Sequence, residues 1–184
     1  MIDSDFVNYK QLLQKVDEHF RTVSEKYPND FQCRSGCHSC CVPKLSVSRI
    51  EREYIKNSLS KSQLDEIEVL SDENPFNDTR CSLLKANGEC SIYESRPIIC
   101  RSHGAPIKFW LENSNPTVDE PSMDVCYLNF KDKKLSDLDP SDILNIDTLN
   151  KILSAINIQY ENKYDLKKGE RFSLHPQALG SEES

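Results

Sequence analysis

The sequence predicts a single, mainly α-helical domain that carries one small β-hairpin and a cysteine-rich centre. The length of 184 residues suits one domain. Apolar residues recur at three- and four-residue spacings near both ends of the chain, as they do on amphipathic helices. Eight cysteines are gathered mostly in two segments. Hydrophobic residues make up only 37% of the sequence, so the apolar core should be modest. We therefore expect metal bound by the cysteines to stabilise the fold.

The first predicted element is an amphipathic helix over residues 3 to about 27. Its apolar positions are Phe6, Tyr9, Leu12, Leu13, Val16 and Phe20. The spacing ends at Tyr27-Pro28-Asn29-Asp30, which is a turn signal. We therefore assign residues 1–30 to an N-terminal helix that precedes the cysteine-rich region.

Two further helix starts are predicted after the first cysteines. Ser48 followed by Glu51 has the spacing of a capping box. Ser62 and Asp65 indicate a second start before the apolar run LDEIEVL. The polar stretch SDENPFNDT over 71–79 is predicted to be a loop.

The hairpin is predicted over residues 81–93, where the spacing of apolar residues changes. Asn87-Gly88 favours a type I′ turn between two short strands, which would place Cys81 and Cys90 on opposite arms. Ser95 is the predicted cap of a following helix that carries Cys100 in its next turn. Pro97 is compatible with the first turn of that helix.

The last third of the chain is predicted to hold one more helix. Residues 112–122 are polar and contain proline, as in a surface loop, and helical spacing returns over 142–160. The segment after about 165 is predicted to be a loosely ordered tail. The predicted organisation is an N-terminal helix at 1–30, a metal-chelating domain at 31–130, and a C-terminal helix with a flexible tail at 131–184.

The first cysteine group is the stretch CRSGCHSCC at 33–41, where Cys33, Cys37 and Cys40 have C-x3-C-x2-C spacing. Gly36 and Ser39 permit tight backbone turns between them, so that several sulfurs can converge. Structural zinc takes four thiolate or imidazole ligands, and a four-iron cluster also takes four cysteines. The spacing by itself predicts metal binding without separating the two.

The adjacent pair Cys40-Cys41 predicts more than one role for these thiols. Neighbouring residues direct their side chains apart, so both cannot easily reach one tetrahedral ion. The two thiols could serve two ions, one could bridge two ions, or one could be a buried or reactive thiol.

The second cysteine group is Cys81, Cys90 and Cys100. Together with Cys126, the chain holds enough cysteines for two four-cysteine sites. His103 is a candidate substitute ligand.

Composition also restricts the compartment and the partners that we expect. The start of the chain has acidic residues and no apolar core typical of a signal peptide, which favours a cytoplasmic protein with reduced thiols. There is no apolar run long enough to span a bilayer. The net charge of −7 argues against a broad nucleic-acid interface. The two cysteine segments are nevertheless locally basic, which would offset the negative charge of a thiolate centre.

These residues resemble the YkgJ-like CxxCxxCC family of zinc- or iron-chelating domains. After a first block similar to CRSGCHSCC, the family has a second block that this chain matches at Cys81, Leu83, Gly88, Cys90, Ile92, Tyr93, Arg96, Pro97, Cys100 and Arg101. The first gap here is three residues instead of two. The resemblance covers roughly residues 31 to 104, and it implies chelation by Cys33, Cys37, Cys40, Cys41, Cys81, Cys90 and Cys100.

The preferred functional hypothesis is a cytoplasmic metal-binding protein with a structural or regulatory centre. Its expected partners are the metal ion and, in a regulatory role, another protein. Zinc is the expected metal, with iron or an iron–sulfur cluster as the alternative. The competing hypothesis is an iron–sulfur or metal-dependent modifying enzyme. C-x3-C-x2-C is also the signature of radical S-adenosylmethionine enzymes. A domain related to the CxxCxxCC family occurs in flagellin lysine methylases. A thiol redox protein is the third hypothesis, since Cys37 and Cys40 form a C-x-x-C.

Overall fold

The computed structural model describes residues 3–34, 36–72 and 79–180. About 47% of the chain is helical and a small part is in sheets, which confirms a mainly α-helical fold. The helices are α1 (Val7–Lys26), α2 (Arg49–Ser58), α3 (Lys61–Asp72), α4 (Ile98–Ser102), α5 (Ile146–Lys163) and α6 (Pro176–Gly180). The strands are β1 (Ser46–Ser48), β2 (Ile107–Phe109), β3 (Ser122–Asp124), β4 (Leu144–Asn145) and β5 (Arg171–Ser173).

The main core lies between α1, α2 and α5. Tyr9, Leu13 and Val16 of α1 are buried there, against Ile50 of α2 and Leu153 of α5. Burying such side chains contributes about 1.5–3 kcal/mol each to folding. The predicted N-terminal helix is therefore present; it begins only at Val7 because Asp3–Phe6 form a 3-10 turn.

Helix α2 begins with the capping box that the sequence predicts. The backbone N–H and the hydroxyl of Ser48 each donate to Glu51 Oε2 at 2.8 Å. Ser48 also ends β1, which pairs antiparallel with β5, with Ser46 opposite Ser173. The cap thus fixes the direction in which the chain leaves the first cysteine group.

Helix α3 starts earlier than predicted. The N–H of Ser60 donates to Gln63 Oε1 at 2.9 Å, so Ser60 and Gln63 mark the start, not Ser62 and Asp65. The first two residues of the predicted 71–79 loop belong to α3. Residues 73–78 of that loop lie outside the described residues.

The predicted hairpin is reduced to a single antiparallel bridge between Leu84 and Cys90. Its arms curl into turns on both sides, because Leu84 N–H donates to the Cys81 carbonyl and Tyr93 N–H to the Cys90 carbonyl. The predicted type I′ turn is wrong: Asn87 is not in the left-handed region that type I′ requires.

Helix α4 is a single turn, and its start also differs from the prediction. Ser95 ends a 3-10 turn (Tyr93–Ser95) and donates its hydroxyl to the Ile92 carbonyl, so it does not cap α4. Pro97 is the residue that precedes the helix. Cys100 still lies in this helix, as expected.

The C-terminal third contributes strands as well as a helix. Strand β2 lies between β3, which is antiparallel to it, and β4, which is parallel. The predicted 142–160 helix begins at Ile146 because Asn145 Oδ1 accepts from Thr148 N–H at 2.9 Å and caps α5. The predicted loose tail instead supplies β5 and α6, and Leu174 and Leu179 are buried.

Within the described residues, no helix has the length and apolar character needed to cross a bilayer.

Candidate metal centre

The first cysteine group lies in an irregular loop made of consecutive tight turns. Cys37 N–H donates to the Arg34 carbonyl and Cys41 N–H to the His38 carbonyl, both at 3.0 Å. Gly36, between them, has a φ of +77°, a conformation that residues with a Cβ rarely adopt. All four cysteines of this loop line the cavity described below.

The second cysteine group is tied directly to the first. The backbone N–H of Cys81 donates to the carbonyl of Cys41 at 3.1 Å. Cys90 follows at the bridge with Leu84, and Cys100 follows on α4. Cys81, Cys90 and Cys100 all pack against one apolar cluster that includes Leu83.

Cys126 is connected to the first cysteine group by hydrogen bonds of the buried residue Asn129. Asn129 N–H donates to the Cys126 carbonyl at 2.8 Å, while its Nδ2 donates to Cys33 Sγ at 3.3 Å and to the Gly104 carbonyl at 2.8 Å. Gly104 has a φ of +97°, and a Cβ built on it would lie 2.8 Å from Cys33 Sγ. Only glycine therefore lets the chain pass so close to this thiol.

These connections place all eight cysteines on the wall of one cavity of about 730 Å³, which we call the thiol cavity. Its cysteines are Cys33, Cys37, Cys40, Cys41, Cys81, Cys90, Cys100 and Cys126. Each is free, and Cys33 is the exposed one while the others are half-buried. His103, the candidate substitute ligand, lines the same cavity.

This geometry does not show that a bound metal ion stabilises the fold. Among residues 3–34, 36–72 and 79–180, no group of three or more Cys, His, Asp or Glu side chains has an arrangement that would hold a metal ion. The donor chemistry does fit the expected metals, because a cavity lined by eight thiols offers the soft ligands that zinc and iron–sulfur clusters take. These cysteines are the residues that would hold a metal.

The buried thiols resist ionisation in the metal-free chain. Burial raises the pKa of Cys90 to about 11 and the pKa of Cys100 to about 12. A hydrogen bond with the Cys41 thiol, followed by burial, raises the pKa of Cys40. Although Cys33 is exposed as a whole residue, partial burial of its thiol raises its pKa. The hydrogen bond from Asn129 lowers this pKa, and the neighbouring thiols of Cys126, Cys37 and Cys40 raise it. At neutral pH the thiols of Cys33, Cys40, Cys90 and Cys100 are therefore protonated in the metal-free chain, and a cation that binds them must displace their protons.

These shifts predict that the metal-free fold loses stability in alkali. The folded-state pKa values of Cys90 and Cys100 lie above the unfolded value of about 8.5, so the unfolded state releases these protons first. The associated stability is present below pH ~8.5 and is lost as the pH rises toward 11–12. We expect the melting temperature of reduced, metal-free protein to fall over this range. A Cys90→Ala/Cys100→Ala variant should show a flatter decline; an equal decline would contradict the assignment.

Four arginines surround the thiols. Arg21, Arg34, Arg96 and Arg101 line the thiol cavity. Arg101 joins three elements, since it donates to Asp17 Oδ2 at 2.5 Å, to the Arg96 carbonyl at 2.7 Å and to the Glu94 carbonyl. The guanidinium of Arg96 stacks 3.8 Å from the centre of the Tyr93 ring. Their positive charges favour thiolates, and thus a negatively charged thiolate centre.

A second cavity of about 670 Å³, here called the helix cavity, shares some of its lining residues with the thiol cavity. It is lined by apolar residues of α4 and α5, such as Ile98 and Leu149, and by polar residues such as Asn157. Cys40, Cys126 and His103 line both cavities. The two spaces therefore share a wall that contains two thiols and one imidazole.

Sequence reasoning missed the residues that complete the site from outside the cysteine segments. Asp17 and Arg21 come from α1, and Leu174 comes from the predicted tail. Asn129, which holds Cys33 and Cys126 together, stands in no recognisable motif. The nearest signal was Cys126 itself, three residues earlier.

Comparison with known proteins supports the resemblance seen in the sequence. Residues 32–121 match the model of the CxxCxxCC family, which is described as "Putative zinc- or iron-chelating domain". The matched region contains seven of the eight cysteines and ends before Cys126. No curated protein and no solved structure matches the chain.

Proposed function

We propose that the CxxCxxCC region of this chain is a chelating centre for zinc, with iron as the alternative metal, in a cytoplasmic protein. The observation that carries this proposal is the convergence of all eight cysteines on the wall of one cavity. The family match supports metal binding by the same region.

Zinc is preferred because closed sites made of cysteine thiolates are most often structural zinc sites. The role that we assign to the ion is to stabilise the fold, since binding to a site that the unfolded chain lacks adds folding free energy. Chelating thiolates must be kept reduced, so we place the protein in a reducing compartment, the cytoplasm. A regulatory role through a protein partner is compatible with this proposal.

The test is the metal content of protein purified without added metal and without oxygen. We expect about one or two zinc ions per chain. Removing the metal with a chelator should lower the melting temperature, and restoring zinc should recover it. Protein that holds neither zinc nor iron, with its thiols oxidised in pairs, would contradict chelation.

A metal-dependent enzyme is the second candidate, and one observation favours it. The helix cavity reaches Cys40, Cys126 and His103, so a small molecule held between α4 and α5 would contact the thiol wall. Catalysis would require an open coordination position there. The same elemental measurement separates the two candidates: iron together with acid-labile sulfide would favour the enzyme, and zinc alone the structural centre.

A further inference from the structure

The turn at residues 85–89 is exposed at every residue except Gly88, which is buried. What covers Gly88 is the loop of the first cysteine group. A Cβ built on Gly88 would lie 2.8 Å from His38 Nδ1 and 2.9 Å from the Gly36 carbonyl oxygen. We call this close approach the Gly88 contact. Through it, the turn that precedes the second group's central cysteine touches the first group's loop directly.

The turn that carries Gly88 is closed by its own hydrogen bonds. Gly88 N–H donates to the Lys85 carbonyl and Lys85 N–H to the Glu89 carbonyl, both at 2.8 Å. Glu89 N–H also donates to Asn87 Oδ1 at 3.0 Å. Cys90 follows directly, at the antiparallel bridge. A displacement of Gly88 would therefore be passed on to the backbone of Cys90.

The loop on the other side of the contact has a similar internal support. His38 Nδ1 lies 3.0 Å from the Gly36 carbonyl oxygen, so the imidazole lies against that carbonyl. Cys37 stands between these two residues, and the His38 carbonyl accepts the Cys41 N–H at 3.0 Å. The surface that meets Gly88 is therefore made by the two residues that flank Cys37.

A second attachment joins the same two segments at a different point. Arg80 Nη1 donates to the Ser39 carbonyl at 3.1 Å, and Cys81 N–H donates to the Cys41 carbonyl at 3.1 Å. A single point of attachment would let one segment rotate about the other. The Gly88 contact supplies the second point, so that the relative orientation of the two cysteine segments is fixed.

We infer that Gly88 is a positioning residue for metal binding, because its lack of a side chain sets the distance between the loop at 33–41 and the turn at 85–89. Part of the surface that it meets is a backbone carbonyl, which no change of rotamer can move away. Any Cβ at this position must therefore push the loop and the turn apart. The inference rests on the proposed chelating function and extends it to a residue with no side-chain ligand.

Gly88→Ala tests the contact, with Gly169→Ala as the matched control. The two glycines have φ values of +83° and +70°, so alanine strains the backbone at both positions. Among the described residues, no atom beyond its chain neighbours lies within 4 Å of a Cβ built on Gly169, so only Gly88→Ala adds a clash.

Zn²⁺ affinity is measured by competition with a chromophoric chelator, on reduced protein that circular dichroism shows to be folded. We expect Gly88→Ala to bind Zn²⁺ about 10- to 100-fold more weakly than the native chain, the range found for residues that support metal ligands. Gly169→Ala should bind Zn²⁺ as the native chain does.

Cobalt gives a readout that a general loss of stability would not change. Co²⁺ bound by thiolates absorbs through sulfur-to-metal charge transfer, and the band strengthens with the number of thiolates on the ion. In folded Gly88→Ala saturated with Co²⁺, we expect a weaker band per bound ion than in Gly169→Ala. Either an equal Zn²⁺ affinity or an equal band in the two alanine variants would overturn the positioning role.

A second pair of variants applies if Gly88→Ala does not fold. His38→Ala removes the nearest neighbour of the added Cβ, whereas the Gly36 carbonyl oxygen stays in place. His38→Ala/Gly88→Ala should therefore fold and still bind Zn²⁺ more weakly than His38→Ala. Equal affinity in this pair would overturn the inference while leaving chelation in place. A native chain that binds neither Zn²⁺ nor Co²⁺ would instead overturn the chelating function.

Discussion

Cys100→Ser is expected to lose bound metal and to melt at a lower temperature than the native chain when both are supplied with zinc. The half-buried thiol of Cys100 lines the thiol cavity from α4, and serine offers no thiolate to replace it. Loss of a direct ligand should weaken binding by more than about 100-fold, the upper range for changes in residues around a metal site. That factor corresponds to about 2.7 kcal/mol of binding-linked stability, or about 5–11 °C in melting temperature.

The control that isolates chelation is the same comparison without metal. If Cys100 acts as a ligand, metal-stripped native protein and metal-stripped Cys100→Ser should melt at similar temperatures. Ile99→Ser changes the preceding residue, which is 40% exposed and does not line the thiol cavity, and it should retain metal. Unchanged metal content in Cys100→Ser would show that this thiol is not a ligand.

Glu51→Ala is expected to destabilise the fold strongly. The Glu51 side chain is buried at 2% exposure, and its carboxylate accepts from Ser48 N–H at 2.8 Å and from Ile98 N–H at 3.2 Å. Alanine would leave two backbone N–H groups without this partner, at about 1–3 kcal/mol each. We expect a loss of about 2–6 kcal/mol in the free energy of unfolding, measured by chemical denaturation.

Glu51 also positions the cysteines, because Ile98 begins the helix that carries Cys100. The variant should therefore bind zinc more weakly than native protein even where it is still folded. Asn57→Ala, at an exposed site on the same helix, should change the unfolding free energy by less than about 0.5 kcal/mol. A Glu51→Ala variant as stable as Asn57→Ala would refute this role.

The local features that the sequence predicts best are those set by short-range chemistry. The capping box at Ser48 and Glu51 needs only neighbouring residues, and the apolar face of α1 follows from its spacing. The hairpin was predicted less well. Its turn residues favour a reversal, and Cys90 does pair with Leu84, but the chain continues into turns at Cys81–Leu84 and at Cys90–Tyr93. These flanking turns, which the apolar spacing did not indicate, keep the two arms from extending as strands.

The site could be predicted as a set of residues but not as an arrangement. Spacing and the second sequence block identified the cysteines, since thiols at such intervals suit chelation. The arrangement depends on Asn129, on Gly104 and on residues of α1, which are distant in sequence and carry no motif. The pairing of β1 with β5 likewise could not be predicted, because both strands are short and far apart in sequence, and such strands give no periodic pattern.

That pairing has a consequence for how the protein is made. Ser46 lies beside Ser173, and Leu174 lines the thiol cavity, so the wall around the cysteines is completed by residues that follow all eight of them in the sequence. During synthesis the N-terminal part emerges first. All eight thiols are therefore translated well before the last part of their enclosure exists. Until β5 and Leu174 have been synthesised, the nascent chain carries these thiols without that part of their enclosure.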